Sequence, residues 1–106
     1  MEFEKDIEHY LNVRVSDANG FCLKLSGLKG IPDRLVVLPP DGRCVWVELK
    51  RKDGRLSELQ KYQHARLRKI GADVAVVWGR EDVDKLMDRM YNETERSREY
   101  GGRCSL

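Results

Sequence analysis

Two runs of β-forming residues flank the tetrapeptide Pro39-Pro40-Asp41-Gly42. Proline cannot donate to a strand ladder, and Asp-Gly supplies turn geometry, so these four residues make the chain reverse. Residues 35–38, with a start near Asp33, and residues 44–49 are therefore expected to form an antiparallel hairpin. With a four-residue loop, Leu38 faces Arg43, and the same register places Asp33 opposite Glu48. Directly opposed residues share a sheet face with Cβ atoms ~5 Å apart. Lys50, two residues beyond Glu48, joins that face, and Leu49 points into the other layer. Trp46 shares the face of Glu48 by alternation and reads as a core residue.

The remaining elements follow from periodicity. Phe3, Ile7, Leu11, Val15 and Ala18 recur every three or four residues, which predicts an amphipathic helix over 3–17 ended by Asn19-Gly20. Residues 21–26 alternate and read as a strand, and the glycines and proline of 27–32 read as a loop. Residues 57–70 predict a second helix, with an apolar stripe of Leu56, Leu59, Leu67 and Ile70 and a stop at Gly71. Residues 73–78 form a buried-type strand, and Val83, Leu86, Met87 and Met90 space a third helix over roughly 81–91. The polar residues 92–106 are expected to be a loose tail. The order α-β-β-β-α-β-α makes the third and fourth strands parallel, joined through the second helix. The expected fold class is α/β, a small mixed β-sheet with flanking helices, in one domain over 1–91.

Composition narrows the chemistry. The 106 residues carry 36% charged side chains, no apolar run of membrane-spanning length, and an acidic, polar N-terminus unlike a secretory signal. Cys22, Cys44 and Cys104 form no CxxC pair, so neither a disulfide framework nor a zinc knuckle is expected, and a reducing cytosol is the expected compartment. His9 and His64 lack zinc-hydrolase spacing, Ser26 and Ser57 lack a nucleophile-elbow motif, and Gly27 and Gly30 are not followed by GK[ST]. The formal charge is only +2, yet residues 43–69 hold nine bases against three acids. Such a basic middle is either a phosphate-binding stripe or a solvated helix face, and charge alone does not choose.

The hairpin adds a second observation. Two carboxylates side by side destabilise a strand pair unless something offsets them. A divalent cation with oxygen ligands would do so, and would bring the means to hydrolyse a phosphodiester. Lys50 would orient the nucleophile or steady developing negative charge. An ordinary Asp/Glu/Lys ion-pair cluster on an exposed face is the competing explanation. A one-residue slip would send Asp33 to the opposite face and break the group.

Pro32-Asp33 … Glu48-Leu49-Lys50 resembles the PD-(D/E)xK nuclease signature, and the element order resembles that superfamily's core. Four segments resemble the VRR-NUC branch: Glu4-Lys5-Asp6-Ile7-Glu8, Gly30-Ile31-Pro32-Asp33-Arg34, Val47-Glu48-Leu49-Lys50 and Leu56-Ser57-Glu58-Leu59-Gln60. The resemblance spans residues 2–90, and small stand-alone members of this branch resemble Holliday-junction resolvases. It implies a Mg²⁺- or Mn²⁺-dependent endonuclease acting on DNA that leaves a 5′-phosphate and a 3′-hydroxyl. It implies Asp33 and Glu48 as metal-binding carboxylates, the Leu49 backbone carbonyl as a further ligand, and Lys50 as the catalytic lysine. Glu8 is preferred over Glu4 as the acid of the first helix, by its distance from Gly20; the alternative is that both are ordinary acids favoured near a helix N-terminus. Symmetric cutting of a junction needs two sites, which implies a C2 homodimer.

Ser57-x-x-Gln60 is a capping box, which explains Gln60 without chemistry. A site role would aim its amide at the attacking water or the scissile phosphate, and the two roles are compatible. Lys29, Arg34, Arg51, Lys52 and Arg55 are candidate contacts to DNA phosphates, each also explicable as a surface cation.

Overall fold

A computed structural model describes residues 2–100, with side chains described through residue 92. The element order is α1 (Glu4–Asp17), β1 (Phe21–Lys24), β2 (Arg34–Leu38), β3 (Arg43–Leu49), α2 (Glu58–Lys69), β4 (Val74–Val77) and α3 (Arg80–Tyr100). The strands form one mixed sheet in the order β1-β2-β3-β4. β1–β2 and β2–β3 are antiparallel, and β3–β4 is parallel.

The hairpin has the expected register. Leu38 pairs with Arg43, Val36 with Val45 and Arg34 with Val47. Val36, Leu38, Val45, Val47 and Leu49 therefore face one side, where α1 and α3 cover them. Ile7, Leu11 and Val15 of α1 and Val83, Leu86, Met87 and Met90 of α3 complete this core. Tyr10 and Arg14 tie the two helices together through Asp84. Gly20 lets the chain leave α1 tightly: a Cβ there would lie 2.6 Å from the Val37 carbonyl oxygen.

Three expectations need correction. The apolar stripe proposed for α2 does not enter a core. Ile70 is 81% exposed and Leu59 43% exposed, and the buried residue of α2 is His64. The reason is topological: the hairpin's apolar residues point at α1 and α3, so α2 meets the polar, site-bearing face. Strand β1 ends at Lys24 rather than at residue 26, although the Leu25 N–H still donates to the Asp33 carbonyl at 2.9 Å. Helix α3 continues through Tyr100, well past residue 91, so most of the expected loose tail is helical. Residues 92–100 contain no Gly or Pro and are rich in Glu and Arg, which propagate a helix already nucleated by its packed first turns. Residues 101–106 of that tail lie outside the described residues.

Candidate active site

The site forms where β2 begins and β3 ends. Asp33 immediately precedes β2, and its Oδ2 accepts a hydrogen bond of 2.8 Å from the Leu49 N–H. This bond extends the hairpin ladder by a side chain and holds the carboxylate against the end of β3. Glu48 points to the same side and is 2% exposed. Its carboxyl group is pushed up to about 8, first by burial and then by the Asp33 charge and a hydrogen bond to it; Lys50 acts in the opposite direction. The like-charge juxtaposition anticipated from the register is therefore present.

Helix α2 meets this carboxylate with two side chains one turn apart. Ser57 caps the helix: its Oγ accepts from the Gln60 N–H at 3.1 Å, and Gln60 Oε1 accepts from the Ser57 N–H at 2.8 Å. The other end of the same amide, Nε2, donates to Glu48 Oε2 at 3.1 Å. Gln60 is thus both cap and site residue, but it reaches the site through Glu48, where a direct approach to water or phosphate was expected. His64 is wholly buried, with Nε2 3.4 Å from Glu48 Oε1. Neither of those atoms completes an aligned hydrogen bond, nor does His64 Nδ1. Burial and the Arg68 charge push the imidazole below its ordinary value, which favours the neutral ring. Zinc-ligand spacing says nothing of this position of His64; the signal in the sequence is its i+4 spacing from Gln60, which puts both on one helix face.

In front of Asp33 and Leu49 opens a cavity of about 230 Å³, whose rim includes Glu4, Glu8 and Lys24. Glu8 is engaged elsewhere: its Oε2 accepts from Arg34 at 2.6 Å. Glu4 is the helical acid whose charge reaches both Glu48 and Arg51. The geometry therefore does not favour Glu8 over Glu4, because Arg34 holds the Glu8 carboxylate.

The sequence profile of the VRR-NUC domain matches residues 3–81. The chain is also 37% identical over 76 residues to the protein named "Putative nuclease p44" of Acyrthosiphon pisum secondary endosymbiont phage 1, covering 70% of this chain and 81% of that protein. A solved VRR_NUC domain superposes with a TM-score of 0.77 at 37% identity, covering 83% of this chain and 97% of that one. The chain belongs to the VRR-NUC family. As a VRR-NUC domain it is a nuclease, a hydrolase whose substrate is nucleic acid.

The VRR-NUC site is suited to a cation by its donor chemistry. A half-buried carboxylate, Asp33, meets a buried one, Glu48, whose proton is held first by burial and then by the Asp33 charge, and a cation between them would offset both effects. The carboxylates are a pair rather than a cluster: among the described residues no three His, Cys, Asp or Glu side chains form a metal-holding group. Further ligands would have to be backbone oxygen or water.

The basic residues divide. Arg34 is 9% exposed, points to the α1 side of the sheet, and pairs with Glu8 and the Cys22 carbonyl. It is corrected from a phosphate contact to a structural residue; alternation along β2 puts it on the face opposite Asp33. Arg51 lies beyond Lys50 but is held by Asp53 in a two-pronged pair at 3.0 and 2.9 Å. Lys29, Lys52 and Arg55 are exposed on the loops at this end of the sheet. Among the described residues no helix is long and apolar enough to cross a membrane.

Proposed function

We propose that this VRR-NUC domain is a divalent-metal-dependent DNA endonuclease, structure-selective and suited to branched substrates such as Holliday junctions. The observation that carries the reading is the meeting of Asp33 and Glu48 where the hairpin register brings the start of β2 against the end of β3, with the Asp33 carboxylate held by the Leu49 N–H beside the buried Glu48. Asp33, Glu48 and the Leu49 carbonyl would hold Mg²⁺ or Mn²⁺. When bound, the ion supplies Lewis-acid charge beside the scissile phosphate and lowers the pKa of water.

The chain's own residues do the rest. Lys50, on the same face as Glu48, orients the attacking water and offsets the negative charge that builds on the phosphate oxygens. Gln60 holds Glu48 in place from α2. Lys29, Lys52 and Arg55 contact DNA phosphates, and Arg51 contributes its remaining donors beyond Asp53. Cleavage leaves a 5′-phosphate and a 3′-hydroxyl. One such site cuts one strand, so resolution of a junction requires a C2 homodimer. The cytosol of a bacterium or of a phage-infected host is where this chemistry would operate.

The test is cleavage of labelled four-way junction, flap and linear duplex DNA with Mg²⁺, Mn²⁺ or EDTA. Cleavage is expected with either metal, none in EDTA, and preference for the branched substrates. Lys50→Ala is expected to lower the cleavage rate about 10²–10³-fold without loss of fold. Cutting that persists in EDTA or at full rate in Lys50→Ala overturns the mechanism. Equal cutting of linear duplex overturns the structure selectivity, and DNA binding without cutting by the wild type favours a turnover-free binding module.

A further inference from the structure

His64 has no explanation as a packing residue. It is the buried side chain of a largely exposed helix, its two ring nitrogens lack hydrogen-bond partners, and the polar atom it approaches is Glu48 Oε1, itself buried without an aligned bond. A buried imidazole that serves only packing would leave these atoms' desolvation uncompensated, and an apolar side chain would serve better. The arrangement has a clear logic if α2 is a clamp. Gln60 and His64 stand one turn apart, and they address the two oxygens of the same carboxylate, Oε2 at 3.1 Å and Oε1 at 3.4 Å. Each carboxylate oxygen has two lone-pair directions, so a donor from α2 on each still leaves capacity facing Asp33.

We propose that His64 is a positioning residue whose Nε2–H, together with the Gln60 amide, fixes the Glu48 carboxylate in the orientation that shares a divalent cation with Asp33. The inference rests on the cation-binding reading above and adds what makes the pair competent. A carboxylate on a long side chain beside the like charge of Asp33 would otherwise rotate away from it. Donors on the ligand's far side restrict that rotation and set its direction, as outer hydrogen bonds do for metal ligands generally. The ring acts as a neutral donor from Nε2 and touches neither DNA nor the reacting atoms.

Mn²⁺ binding measured by electron paramagnetic resonance, without DNA, tests this independently of activity. His64→Phe, which keeps bulk and removes the donor, is expected to weaken Mn²⁺ binding about 10–100-fold. His64→Gln, which restores a donor, is expected to bind within about threefold of wild type, since the outer hydrogen bond is retained. A folded His64→Phe protein with wild-type Mn²⁺ affinity overturns the proposal. Should that variant not fold, the ¹⁵N-histidine spectrum of the wild type decides. An Nε2–H tautomer of His64 whose signal moves on adding Mg²⁺ supports the clamp, and an Nδ1–H tautomer or an indifferent signal overturns it. Asp33→Asn separates the two readings. If wild type binds no Mn²⁺, or Asp33→Asn binds it equally, the cation reading itself falls. If Asp33→Asn abolishes binding and His64→Phe leaves it intact, only the role of His64 falls.

Discussion

Glu48 concentrates the molecule's conflict between stability and chemistry in one side chain. Its folded-state value of about 8 stands above the ordinary 4.5, so the folded protein binds this proton more tightly than the unfolded chain does. The resulting stabilisation is fully present below pH 4.5 and is lost as pH rises through about 8. The metal-free protein is therefore expected to show a falling Tm between about pH 6.5 and pH 8.5, above the range in which the lowered His64 works in the opposite sense, measured by thermal denaturation in EDTA. Saturating Mg²⁺ is expected to flatten that fall, because the ion binds the deprotonated pair. Glu48→Gln is expected to raise the metal-free Tm at the alkaline end while abolishing cleavage. A metal-free Tm that rises with pH over this interval would count against the buried, raised Glu48 carboxyl. At this scale the sequence was legible where alternation and register decided, as for Asp33, Glu48 and Lys50. Arg34 is the exception: alternation along β2 turns it to the face opposite Asp33, where it is buried against Glu8.

Helix α2 works less as a core element than as a bracket for the site. Its position depends on the Ser57–Gln60 capping box at one end and on the loop that packs against its first turns. Gly30 is the contact point of that loop: its φ is +86°, and a Cβ there would meet Leu59 and Gln63 atoms at 2.9 Å. Ser57→Ala is expected to cost about 1 kcal/mol in urea denaturation. Gly30→Ala is expected to cost more than about 1 kcal/mol, since the φ is unfavourable and the space is occupied. Both should also lower cleavage, because they loosen the helix that holds Glu48. Unchanged stability and activity in both variants would show that α2 is fixed by other contacts. The capping box was plain in the sequence. That α2 carries a polar, site-facing surface was not, because its leucines suggested an apolar stripe and only the topology shows which sheet face it meets.

Over the whole molecule, the local basic excess resolves into cations with different duties. Arg34 supports the fold through Glu8, while Lys52 and Arg55 face solvent. Lys52→Ala and Arg55→Ala are each expected to lower the salt slope of DNA binding by about one, with little change in stability. Arg34→Ala is expected to leave that slope unchanged and to cost roughly 2–3 kcal/mol, below the value for a fully buried pair because Glu8 is partly exposed. Fluorescence anisotropy over a salt series, beside urea denaturation, measures both. A slope that drops with Arg34→Ala and not with the lysine would invert the assignment. Light scattering tests the proposed dimer, with twice the mass of one chain as the expected result.

By itself the sequence determined the hairpin, its register, the parallel return through α2, and hence the meeting of Asp33 with Glu48. These are consequences of local turn chemistry and of a side-chain period of two, which neighbouring residues encode directly. Tertiary structure decided what depends on which layer covers which face: the burial of His64 behind Glu48, the capture of Glu8 by Arg34, and the exposure of Leu59 and Ile70. It also decided that α3 runs on to Tyr100. Burial and pairing are properties of surfaces brought together from distant parts of the chain, and no local period records them.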